Sequence, residues 1–166
     1  MLENVQKELN AFAKYVISQS RANLTRAKKN SSKQLYNSLD SDLKVSKNSF
    51  SLSFLMEDYG VFQDKGVSGV KKKYNTPYSY TTKMPPPSKM DKWIVRKGIA
   101  PKDDKGKFIS RKSLQFMIAR SIFNNGIKPS LFFTKPFKKA FKNLDKDIVK
   151  AFKLDVEQLL ETTINN

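Results

Sequence analysis

The sequence predicts an α+β fold: a small antiparallel curved sheet packed against a long N-terminal helix and a long C-terminal helix, with a long basic loop and extra short helices. Three observations predict it. Apolar residues recur at threes and fours near both ends of the chain, they alternate with a period of two in two short runs, Leu43 with Val45 and Phe50 to Met56, and neither period survives between Val67 and Pro87.

Near the start, Val5, Leu9, Phe12, Ala13 and Val16 draw one apolar stripe, which predicts a helix over about 3–28. Leu24 extends that stripe. Arg21, Arg26, Lys28 and Lys29 load its far end with positive charge, where the helix dipole favours it, and Asn30-Ser31-Ser32 supplies the stop. Leu35 and Leu39 fit one short helical turn. Leu43 and Val45, then Phe50, Leu52, Phe54 and Met56, keep a period of two, so the polar connector Ser46-Lys47-Asn48-Ser49 predicts an antiparallel hairpin.

Tyr59 and Phe62, three apart, suit a single turn of helix ended by Gly66. Beyond it come Lys71-Lys72-Lys73, the rings of Tyr74, Tyr78 and Tyr80, Lys83, and the run Pro85-Pro86-Pro87, which favours extended backbone. This stretch, about 67–87, reads as a projecting basic loop. A helical insertion follows at about 88–125. Its first helix, 89–97, is expected to start at a capping box of Ser88 and Asp91, with Met90, Trp93 and Ile94 facing the core. Asp103, Asp104 and Gly106 mark a polar surface turn. Ser110 can cap a second helix with a buried stripe of Leu114, Met117, Ile118 and Ile122, stopped by Asn124-Asn125-Gly126. After the apolar run Leu131-Phe132-Phe133, residues from Phe137 to Leu160 recur at helical spacing and predict a last helix over about 135–162, roughly 42 Å long. No composition break divides the chain, which is read as a single domain over 1–166.

Composition narrows the chemistry. The 166 residues contain no Cys and no His, which removes thiolate and imidazole metal ligands, disulfides and every His-assisted nucleophile. No cofactor is expected, and no enzymatic activity. Glu57, Asp58 and Asp64 are the acids that a metal-dependent nuclease would have to use, the least favoured reading. Glu3, Lys7 and Glu8 interrupt the start, so no signal sequence is expected, and no run approaches the roughly 20 apolar residues that span a membrane. The formal charge of +17 is concentrated: Lys65 to Lys112 holds 14 Lys plus Arg against three acids, a formal +11. Such a surface attracts polyanions and acidic protein faces, which makes a nonspecific nucleic-acid-binding protein the main alternative to an assembly subunit.

Three segments in order carry a family resemblance: Lys33 to Leu39, including Leu35; Tyr59-Gly60-Val61-Phe62-Gln63-Asp64-Lys65-Gly66; and Lys128 to Phe133, including Phe132, leading into Lys135-Pro136-Phe137-Lys138-Lys139-Ala140. Together they resemble the tail-completion or head-tail neck proteins of long-tailed bacteriophages, a family of minor tail components. The resemblance implies a curved sheet backed by helices, a short aromatic turn at Tyr59 to Gly66, and an apolar segment at Phe132 and Phe137 that closes the sheet and opens the last helix. It also implies a homo-oligomer, a sixfold or larger ring next to portal, connector or tail proteins, assembled in the host cytoplasm and resident in the virion. The long basic loop and the insertion depart from that pattern, and imply a reach toward a neighbouring ring or nonspecific contact with DNA.

Overall fold

A computed structural model describes residues 2–47 and 49–164, with side chains described through Glu161. The chain forms two compact units, Met1–Glu57 with Phe132–Asn166, and Asp58–Leu131. The basic loop and the helical insertion, expected as additions to one domain, share the second unit with the aromatic turn.

The first unit contains α1 (Glu3–Arg26), α2 (Gln34–Ser38), the hairpin β1 (Asp40–Ser46) and β2 (Ser49–Leu55), and the last helix, which we number α6 (Thr134–Ile164). Mixed helix and antiparallel sheet is therefore the fold class, as the periods predict. The hairpin pairs Ser41 with Phe54, Leu43 with Leu52 and Val45 with Phe50; the turn residue Asn48 lies outside the described residues. Alternation puts Phe50, Leu52 and Phe54 on the half-buried side and leaves Ser49, Ser51 and Ser53 in water. Val45 shares that parity but is half exposed beside the turn.

Two clusters hold this unit. Leu24, Leu35, Leu39 and Phe132 are buried together, with Ile17, Tyr36, Met56 and Phe133 packed round them. Phe54 of β2 meets Phe12 of α1 at 6.1 Å, Phe133 at 5.2 Å and Phe137 of α6 at 5.8 Å, all edge to face, so one strand residue ties the hairpin to both long helices.

The start of α1 is capped from far away. Leu2 occupies the N-cap position with φ 49° and offers no capping side chain. Asp155 of α6 replaces it: its Oδ1 accepts from the Asn4 backbone N–H at 3.0 Å and the Asn4 side chain at 2.9 Å, and its Oδ2 accepts from the Val5 N–H at 3.1 Å. Asp155 is buried, 8% exposed, at the positive end of α1. Burial pushes its carboxyl up, but the amides of Asn4 and Val5 and the Asn4 side chain together pull it below the usual carboxylate range. Because the folded value is depressed, the stability it supplies is present above the unfolded value of about 3.9 and is lost as pH falls through the lowered one. Asp155→Asn is expected to lower Tm at neutral pH by about 2–4 °C. The gap should close in acid, and a gap that stays constant from neutral to strongly acidic pH would refute the cap.

The second unit contains α3 (Gly60–Lys65), a 3-10 turn (Pro87–Met90) running into α4 (Asp91–Lys97), and α5 (Arg111–Asn125). No side chain caps α4, so the expected Ser88–Asp91 box does not form. Asp91 instead accepts from Gln115 of α5 at 2.7 Å, tying the two helices together. Ser110 does cap α5, accepting the Ser113 N–H at 3.2 Å. Two core assignments need correction. Trp93 is 40% exposed while its neighbour Ile94, about 100° further round α4, is the one buried. Met117 is exposed because the inward face of α5 runs through Leu114, Ile118, Ala119 and Ile122, and a residue at 117 falls outside that arc.

Candidate functional site

The site grows from the end of α3. Gly66 has φ 76° and ψ 177°, and a Cβ there would lie 2.5 Å from the Ile127 carbonyl oxygen and 2.6 Å from the Pro129 ring. The chain then runs beside the end of α5. Val67 and Ile127 exchange backbone hydrogen bonds at 2.9 and 2.7 Å, Val70 donates to Phe123 at 3.0 Å, and Lys71 and Lys72 both donate to the Asn124 carbonyl.

Ser68 is the hub of the segment and is buried. Its backbone N–H donates to Tyr78 and its carbonyl accepts from Tyr80, both at 2.8 Å, while its hydroxyl donates to the Tyr74 carbonyl and accepts the Tyr74 N–H. Thr76 closes the lower end by donating its hydroxyl to the Gly66 carbonyl at 3.0 Å. The expectation of a projecting loop over 67–87 therefore fails for residues 67–80, whose backbone is stapled to the body of its unit. Small residues made this legible only as loop: Gly66, Ser68 and Gly69 permit close backbone approach, and side-chain hydroxyls replace a repeating ladder.

On this base stand the residues read as an interaction loop. Lys71, Lys72, Lys73 and Lys83 are exposed, and the Lys72 Nζ lies 5.7 Å from the centre of the Tyr74 ring. Tyr78 and Tyr80 turn back instead: the Tyr78 ring meets Phe62 edge-on at 4.8 Å, and Tyr80 lies 6.2 Å from Phe123. Burial raises the pKa of Tyr80, so its hydroxyl stays protonated and a donor at any physiological pH. Tyr59, Phe62, Gln63, Tyr78, Tyr80 and Ile127 wall a hollow of about 650 Å³ in this unit. Tyr59 and Phe62 are each more than 40% exposed at it.

The other residues of the family-like motif have structural positions. Leu35, Leu39 and Phe132 lie in the first unit's core, Pro136 is buried at the start of α6, and Phe137 joins the ring cluster; Gly60 is buried in the first turn of α3. Sequence reasoning missed Arg21, taken only as charge at a helix end. Its guanidinium donates to the carbonyls of Tyr36 at 3.1 Å and Leu39 at 2.8 Å and lies over the Tyr36 ring, clamping α2 to α1 along a groove of about 960 Å³. An Arg one helical turn before buried Leu24 was the only signal, and it does not name its acceptors.

Asp103 accepts the N–H groups of Lys105 and Lys107 in the expected turn, and Asp64 is buried in α3. Among the described residues no three acidic side chains gather closely enough to hold a metal ion, and no helix is long and apolar enough to cross a membrane. The chain matches no family model, no curated protein and no solved structure.

Proposed function

We propose that the chain is a non-enzymatic structural subunit of a phage head-tail connector, neck or tail terminus, assembling as a ring of copies that joins the head connector to the tail. The sequence resemblance supplies the choice of assembly. The observation that carries the mode of action is the stapled platform in the second unit: an exposed lysine turn and a ring-walled hollow sit on a backbone already fixed by hydrogen bonds. A contact element ordered in advance loses little conformational entropy on docking, so its aromatic area and charge go into binding. Acidic faces of adjacent portal, connector or tail proteins are the complementary partners.

The exposed triplet beside Tyr74 also favours a second reading, nonspecific nucleic-acid binding, in which lysines contact phosphates and the ring adds area. Changing Lys71, Lys72 and Lys73 together to Ser separates the two. As a subunit, the variant should keep its fold by circular dichroism and lose affinity for its neighbours in a native-mass measurement of the assembly. If duplex DNA is the partner, the isolated chain should bind it with a steep salt dependence, and the triple change should reduce the slope of log K against log salt by up to about 2.7. Unchanged assembly and an unchanged slope together would remove the platform from both readings.

A further inference from the structure

The hairpin of the first unit is a sheet of two strands only, so each strand has an outer edge. The edge of β1 is guarded: Asp40, Asp42 and Lys44 stand along it, and the Asp40 carboxylate takes the Ser41 N–H at 2.8 Å. The seven residues of β2 include no charge, proline or glycine, and among the described residues none of their backbone groups bonds outside the hairpin. Alternate N–H and C=O groups along that edge are therefore open, and the partner that satisfies them together is another extended strand.

Side-chain order selects a second copy. Phe50-Ser51-Leu52-Ser53-Phe54 reads the same in both directions, so an antiparallel β2 of another copy, centred on Leu52, sets Leu52 opposite Leu52, Ser51 opposite Ser53 and Phe50 opposite Phe54. Phe54 already meets Phe12, Phe133 and Phe137, and the other copy's Phe50 extends that ring cluster. The twofold axis of this pairing stands perpendicular to the sheet and keeps both apolar sides facing the same way, whereas a parallel twofold would join the apolar side of one strand to the serine side of the other. Charge agrees with the direction. Followed two residues past the strand ends, the same register brings Lys47 at the tip of each hairpin toward Glu57 at the root of the other; a parallel neighbour would bring the tip lysines together.

We infer that β2 pairs with β2 of a second copy of this chain, antiparallel and centred on Leu52, joining the two hairpins into one four-stranded sheet. The contact is isologous and closes at two copies, so it is separate from the head-to-tail contacts that a ring requires and does not depend on the phage assignment.

Sedimentation of the full chain over a concentration series tests this. The parent should form a dimer. Ser51→Glu with Ser53→Glu sets like charges opposite each other twice across the axis and should raise the dissociation constant about tenfold with the circular dichroism unchanged, as should Ser51→Lys with Ser53→Lys; mixing the two should restore a dimer containing one of each. The register is read by cysteine, for which the chain supplies no background. Under mild oxidation a mixture of Ser51→Cys and Ser53→Cys chains should form a disulfide-linked dimer of one of each faster than either chain links to itself. A monomeric parent, charge variants that fail to pair on mixing, or a cysteine mixture that links no faster than its components overturns the proposal.

Discussion

Alanine at Phe132 is expected to cost about 3–5 kcal/mol of stability, the loss typical of removing a buried ring and leaving a cavity. The side chain is 1% exposed among Leu24, Leu35 and Leu39, and its backbone carbonyl accepts from Asn23 at 3.1 Å, so the surroundings are fixed on several sides and cannot collapse into the gap. Against a typical total of about 5–15 kcal/mol, that is a large share. Urea unfolding followed by far-ultraviolet circular dichroism should show an earlier midpoint with an unchanged slope. Leu131→Ala, one residue away on an exposed side chain, is the control and should change stability by no more than about 0.5 kcal/mol. Comparable losses for the two variants would show that Phe132 does not anchor the core.

Alanine at Gly126 should undo the platform. The residue has φ 71° and ψ −166°, a region open essentially to glycine alone, and an added Cβ would stand 2.1 Å from the Val67 carbonyl oxygen and 2.5 Å from the Gly69 nitrogen. Both neighbours are backbone, so no side-chain rotation relieves the clash. A loss of about 3 kcal/mol or more is expected, confined at first to the second unit. Hydrogen exchange reads it directly: the amides of Val67 and Ile127, which bond each other's residues, should lose protection. Gly98→Ala is the comparison, since it has positive φ but nothing within 4 Å of the added carbon, and only the backbone strain of about 1–2 kcal/mol remains. Retained protection at Val67 and Ile127 in Gly126→Ala would mean that the staple does not hold the platform.

How much of this was legible depends on the range of the interaction. Both long helices and the hairpin were readable because each imposes its own period on consecutive residues. The glycine stops at Gly66 and Gly126 were readable for the same local reason, and both have positive φ. Legibility ended where a short element had to choose its partner. Trp93 and Ile94 are adjacent on a two-turn helix, and only packing decided that Ile94 goes inward. The site was half legible: the lysines and tyrosines of 71–80 were picked out, but their stapling by Ser68, Thr76 and Asn124 depends on residues that look like loop in any sequence.

By itself the sequence determined where helix and strand would form, that the middle of the chain would be its basic part, and that thiol and imidazole chemistry was closed to it, because these follow from side-chain type and spacing along one chain. Only the tertiary structure decided that Asp155 caps a helix through Val5, 150 residues earlier, that Arg21 holds two carbonyls, and that the lysine turn stands on a fixed base. Those outcomes depend on backbone amides and carbonyls, which every residue carries alike, so the letters of the sequence cannot say which of them will meet.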